Sequence, residues 1–394
     1  MSEQPIGEPP ASGPEAPRPR IPGNPLVWLT GGALLVAVIA LVIAIVAVSG
    51  GGGDAKPSGQ SGTAGATGPV GPAPGAGGSA GAPPTGPAGP APAPSAVPAD
   101  CPKATTTVSD AKDLEDALSA AQPGNVIVLR DGVYEGKFVA SKAADKDNPI
   151  YLCGGSGAVL DGGGVKAGYV LHLDGASYWR VLGLTLRNGQ KGLMADHVQG
   201  ALIQGLTVEQ IGDEGIHLRN FSSDNVVRGN TVRNTGNRRD TFGEGIYVGT
   251  AESNWCTVSD CKPDNSDRNV VEGNTITDTT SESVDIKEGT TGGQVINNTF
   301  DGAKFSGSHA DSWIDVKGND WLIQGNQGHN SKLDGFQTHE VVKGWGSNNV
   351  FKGNTAEVNG PGYGFNFTPV NGNKADCDNK VTAADKGFGN IPCA

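Results

Sequence analysis

Leu202-Ile203-Gln204-Gly205-Leu206-Thr207 returns as Val226-Val227-Arg228-Gly229-Asn230-Thr231, and this recurrence decides the fold. The theme stands again at Val270 to Thr275, Gln294 to Thr299, Leu322 to Gln327 and Val350 to Thr355. Aligned on the fourth position (Gly205, Gly229, Gly273, Asn297, Gly325, Gly353), the steps are 24, 44, 24, 28 and 28 residues. The long step holds an insertion with Cys256 and Cys261. Steps of this size are single coils of a solenoid, each burying its apolar face only against its neighbours. The expected fold class is all-β, a right-handed parallel β-helix spanning residues 100–394.

Asn230, Asn274, Asn298, Asn326 and Asn354 then share one position in successive coils. Stacked asparagines can pass amide hydrogen bonds along the axis, a structural role. Before the coils, Ser109 to Ala121 predicts an amphipathic helix, with Leu114, Ala117, Leu118 and Ala121 on one face. Ser109 or Asp110 can cap it, and Pro123-Gly124 ends it. Such a helix would cover the open end of the solenoid and protect its edge. Val126 to Leu129 would begin the sheet, with Asp131-Gly132 as the first turn. The opening from Leu114 to Tyr134 resembles the entry to pectate-lyase-like β-helix proteins, a fold that hosts several activities.

The first hundred residues cannot build a core. Leu26 to Val48 runs without a charge, enough at about 1.5 Å per residue to cross about 30 Å of hydrocarbon. Arg18 and Arg20 precede it, whereas Asp54 and Lys56 follow it and cancel. The positive-inside bias predicts residues 1–25 in the cytoplasm, 26–48 as a transmembrane helix, and an extracellular C-terminus. Residues 49–99, almost wholly Gly, Pro, Ala and Ser, are expected to be a disordered linker. All six cysteines (Cys101, Cys153, Cys256, Cys261, Cys377, Cys393) fall beyond that linker, which suits disulfides in an oxidising compartment. Local pairing predicts Cys256–Cys261 and Cys377–Cys393, leaving Cys101 for Cys153. A net charge of −12 with no Lys/Arg cluster argues against nucleic acid as a partner.

Chemistry on a β-helix belongs to outward strand positions, which alternate with inward ones. The inward pairs are Ile216/Leu218, Ile246/Val248, Val284/Ile286, Ile314/Val316, Phe336/Thr338 and Phe365/Phe367. The outward column between them is His217, Tyr247, Asp285, Asp315, Gln337, Asn366. A second outward column carries Arg219, Lys287, Lys317 and His339, and a third carries Glu214, Glu244, Glu282 and Asp334. Parallel strands lie about 4.8 Å apart, so Asp285 should stack on Asp315 and Lys287 on Lys317. Two readings follow from the stacking. The ladder is a set of ion pairs on a solvated sheet. Or the carboxylates bind a hard cation such as calcium or share a proton between two acids, and Lys317 depresses the pKa of Lys287 until it becomes a usable base.

Glu282-Ser283-Val284-Asp285-Ile286-Lys287, followed by Asn297-Asn298-Thr299-Phe300, resembles a stretch of the alginate lyase and chondroitinase B family of polysaccharide lyases. The resemblance implies Glu282 as a calcium ligand and Lys287 as the base. With them it implies β-elimination at a uronic acid, where a base takes the C5 proton and a cation steadies the carboxylate. The family's second Glu is replaced here by Thr280, and its catalytic Arg is met by Lys317. The expected site is therefore Lys287 and Lys317 for catalysis and Glu282, Asp285 and Asp315 for metal. Arg219, His217, His339, Asp334 and Glu244 would bind substrate. Asp334-Gly335-Phe336 is also similar to strands of calcium-dependent family-nine pectate lyases, of whose ligand run only Asp334 survives. The motifs of polygalacturonase-type hydrolases are absent. The other class is a non-catalytic glycan-binding or structural module at the cell surface.

Overall fold

The computed structural model describes residues 95–394. The expected cytoplasmic tail, transmembrane helix and most of the linker lie outside the described residues. Among the described residues no helix is long and apolar enough to cross a membrane.

Three parallel sheets of eleven, nine and ten strands form the faces of a β-helix of about ten coils. Each coil contributes one short strand to each sheet. The repeated theme supplies two of them, as in Leu202–Gln204 and Thr207–Glu209, with Gly205 at the corner. That corner needs a left-handed backbone: φ is 68° at Gly205, 62° at Gly229 and Gly273, 67° at Gly325 and 61° at Gly353. Only glycine adopts it freely, with asparagine the next most tolerant, and Asn297 fills it at φ 56°.

The residue after the corner points inward and builds the asparagine ladder. Asn298 accepts from Asn274 Nδ2 at 2.9 Å and donates to Asn326 Oδ1 at 2.9 Å and to the Val271 carbonyl at 2.9 Å. The ladder runs one step further than expected, because Asn354 donates to Asn379. The inward pairs of the nine-stranded sheet are buried from Ile216 to Phe367. Aromatic packing tightens the C-terminal coils, with the rings of Phe336 and Phe365 stacked 5.1 Å apart. Trp313 is fully buried there, its Nε1 donating to the His329 carbonyl, and belongs to the core.

The helix spans Ala111–Ala120, capped by Asp110, with Leu114 and Leu118 buried in the solenoid core. One expectation needs correction: the sheet does not begin at Val126. Thr106–Val108, before the helix, already pairs with Ile127 to Leu129. All three disulfides pair as expected: Cys101–Cys153, Cys256–Cys261 and Cys377–Cys393. The long coil step folds as short helical turns at Asp240–Phe242, Glu252–Asn254 and Trp255–Val258.

Candidate functional site

The nine-stranded sheet carries the site, and its register is the one read from alternation. His217 pairs with Tyr247, Tyr247 with Asp285, Asp285 with Asp315, Asp315 with Gln337, and Gln337 with Asn366. The solvated-sheet reading does not hold, because His217, Asp285, Asp315 and Gln337 are all buried. The inserted turns near Phe242, Ala251 and Asn254 stand over this face and help to wall two adjoining clefts. Alternation tells which way a side chain points, but not what covers it.

One cleft holds Glu244, Glu282, Asp285, Lys287, Asp315, Lys317 and His339, seven of the ten expected site residues. Asp285 is the hub. Its Oδ2 accepts from Lys287 Nζ at 2.6 Å and its Oδ1 from Lys317 Nζ at 2.7 Å. Lys317 also reaches Asp315 Oδ2 at 2.6 Å, and the other oxygen of Asp315 meets His339 Nδ1 at 2.8 Å. Burial works to lower the pKa of Lys287, but the charges of Asp285, Glu244 and Asp315 outweigh it and hold the group above its ordinary value. Lys317 is raised likewise, burial being outweighed by Asp285 and Asp315. The expectation that Lys317 depresses Lys287 is therefore overturned: carboxylates, not the second ammonium, dominate the field at both lysines.

The acids feel the converse. Burial and the charge of Asp285 push Glu282 up to about 8. Burial, Glu214 and Glu282 push Glu244 well above the usual carboxylate range. Burial also penalises the charge on Asp315, but Lys317 and His339 more than offset it and its pKa is lowered. Glu244, Glu282 and Asp285 bring carboxylate oxygens within 4.8 Å of one another, and Glu244 Oε2 is buried without a hydrogen-bond partner. That orphaned oxygen and the raised pKa values of the two glutamates fit a hard cation. Asp315, expected as a ligand beside Glu282 and Asp285, has its oxygens on Lys317 and His339, just as Asp285 has its own on Lys287 and Lys317; the three carboxylates that gather within reach of one another are Glu244, Glu282 and Asp285. Glu244 stands one coil before Glu282, just ahead of the neighbouring strand of the same sheet. Thr280 itself lines a separate hollow with Asn234 and Asp278.

The adjoining cleft contains His217 and Arg219, together with Lys191, Glu214, Arg238 and Arg239. His217 Nε2 donates to the Gly249 carbonyl at 2.9 Å, which leaves Nδ1 as the acceptor nitrogen, buried without a partner. Burial, with help from Lys191 and Arg219, keeps its pKa well below the ordinary imidazole value. Arg219 is tied to Asp196 at 2.8 Å. Asp334 is the one expected site residue that lines neither cleft. It is a buried hub, accepting from Gln337 Nε2, Asn366 Nδ2 and the Tyr363 amide at 2.8, 2.8 and 2.6 Å.

Tyr247, marked in the sequence only by its place in the column, lines both clefts. Lys287 Nζ lies 4.9 Å from the centre of its ring. Burial, Asp285 and Glu244 raise its pKa well above the ordinary phenol value, so it stays protonated. Its position between His217 and Asp285 was the available signal. Lys191 carries the same signal, since the strand Lys191–Asp196 registers with the column through its inward Leu193 and Ala195.

The family described as right-handed beta helix region matches residues 146–267. No curated protein matches the chain. Among solved structures, an alginate lyase from Paenibacillus sp. str. FPU-7 is 38% identical, with a TM-score of 0.67, covering 74% of this chain and all of its own length. Pectate lyase Pel9A is 15% identical, with a TM-score of 0.45, over 71% of this chain and 75% of its own. A mannuronic-acid-specific family 6 polysaccharide lyase from human gut microbiota is 12% identical, with a TM-score of 0.41, over 71% of this chain and 83% of its own.

Proposed function

The chain belongs to the family of the Paenibacillus alginate lyase, a right-handed β-helix, polysaccharide-lyase-like protein, and from this premise we propose that it cleaves an acidic polysaccharide by β-elimination at a uronic acid. The observation that carries the reading is the pairing of Lys287 with Tyr247 beside a buried carboxylate cluster, at the point where two clefts meet.

Lys287 is the base that removes the C5 proton. Tyr247, held protonated, donates to the glycosidic oxygen as the bond breaks. Lys317 and His339 balance Asp285 and Asp315 on the cleft floor, so that the sugar carboxylate enters beside fixed positive charge. Glu244 and Glu282, with Asp285, are the residues that would hold calcium. Bound there, the ion would steady the charge that builds on the sugar carboxylate.

The second reading, a module that binds acidic polysaccharide without cutting it, is favoured by one observation. Lys287 is held as an ammonium by its carboxylate neighbours. The full-length chain, purified in detergent and incubated with alginate, polygalacturonate and glycosaminoglycan uronates, separates the two. Unsaturated product supports the lyase, whereas binding without product supports the module. Residues 26–48 as a single membrane span, 1–25 as a cytoplasmic tail and 49–99 as a spacer belong to the same proposal, with domain 100–394 outside the cell. The helix Ala111–Ala120 would there cover the first coil's open end.

A further inference from the structure

Phe242 is 43% exposed, and among the described residues it is the only exposed phenylalanine or tryptophan. It stands on the ridge shared by the two clefts, beside Tyr247. Arg239 lies over its ring, the guanidinium carbon 5.7 Å from the centroid. The other cations of the first cleft are committed: Lys191 to Glu214, Arg219 to Asp196 and Arg238 to Asp213. Among the described residues Arg239 has no carboxylate partner. The two side chains are held together by the turn that carries them, since the Phe242 amide donates to the Arg239 carbonyl at 3.1 Å. The turn is tied to its neighbours, with the Arg238 amide donating to the Gly212 carbonyl at 2.7 Å and Ser281 Oγ to the Asp240 carbonyl at 3.1 Å.

An exposed aromatic face on a cleft ridge offers apolar area to the C–H face of a pyranose ring. An unpaired guanidinium beside it offers a planar two-donor fork to a carboxylate. A uronic acid carries both features on one ring. We infer that Arg239 and Phe242 form a uronate subsite next to the reacting bond, Phe242 stacking on the sugar and Arg239 holding its carboxylate. This deepens the lyase reading and rests on it. Both are positioning residues, because they set where the polymer lies over Lys287 and Tyr247 and touch no transferred proton.

The test uses the full-length chain in detergent with alginate, reading both steady-state kinetics and retardation in alginate-containing gels. Phe242→Ala and Arg239→Ala should each raise KM about tenfold, with kcat falling far less, and should each weaken retardation. Phe242→Trp should keep KM near wild type, which a loss through misfolding would not allow. Arg239→Lys should recover only part, a point charge replacing a fork. Wild-type cleavage or retardation that survives Phe242→Ala and Arg239→Ala intact overturns the subsite and leaves the lyase reading standing. A wild-type chain that neither cleaves nor is retarded overturns both for alginate.

Discussion

Two ammonium groups share the carboxylate of Asp285, and the behaviour of Lys287 follows from that arrangement. A lysine held above its usual value, about 10.4, is almost wholly charged at neutral pH, and its neutral fraction grows about tenfold with each pH unit. As the base, Lys287 therefore predicts kcat/KM rising steadily through the alkaline range, while Lys287→Ala removes the unsaturated product. A flat alkaline profile would make Lys287 a fixed charge and move proton abstraction elsewhere. Glu282 gives a prediction of opposite sense. Its folded pKa, about 8, lies above the unfolded carboxylate value, so the folded state binds the extra proton between them. Stability from this group is present at low pH and is lost as pH rises toward 8. Glu282→Gln should therefore raise the melting temperature at pH 8 by several degrees and change it little near pH 4. Bound calcium should shrink that gain. An identical gain at both pH values would mean that Glu282 is not strained by burial.

At the scale of the element, the asparagine ladder replaces apolar packing at one corner of six successive coils, from Asn230 to Asn379. The side chain and amide of Asn298 take part in six hydrogen bonds across three coils: two accepted from Asn274, three donated by the side chain to Asn326, Val271 and Ile296, and one donated to Asn326 by the amide. Asn298→Ala leaves buried partners unmatched, and each such group costs about 1–3 kcal/mol. The variant should unfold at clearly lower denaturant, while its activity per folded molecule stays near wild type. An unchanged midpoint would remove the ladder from the account of stability. This element was legible because it repeats, as were the Gly/Asn corner and the register of His217, Tyr247, Asp285 and Asp315. What repeats least was least legible. The turn bearing Arg239 and Phe242 lies within the long coil step and has no periodicity. The three-residue strand Thr106–Val108 is too short to show alternation before a helix cap. The cleft over Asp285 and Asp315 is walled by that aperiodic insertion and by the loop bearing Ser308, His309 and Asp311, neither of which a strand pattern reveals, so the pattern alone suggests an open, solvated face.

At the scale of the whole molecule, the chain combines a polymer-sized face with a proposed tether. The columns from Lys191 to His339 cross six adjacent strands, so the paired clefts run about 24 Å along the axis at about 4.8 Å per step. That length suits several sugars of a chain and not a lone monosaccharide. The tether makes its own prediction: protease added to intact cells should release a soluble fragment cut within residues 49–99, whereas fragment found free in the medium with an N-terminus near Gly50 would mean a cleaved leader. The most direct test of the central claim is the absorbance of unsaturated uronate ends, followed while the full-length chain acts on alginate, polygalacturonate and glycosaminoglycan uronates. The account predicts a steady rise on at least one of them, lost in Lys287→Ala and strongly reduced in Tyr247→Phe. No rise on any uronate, or a rise that persists undiminished in Lys287→Ala, would contradict it.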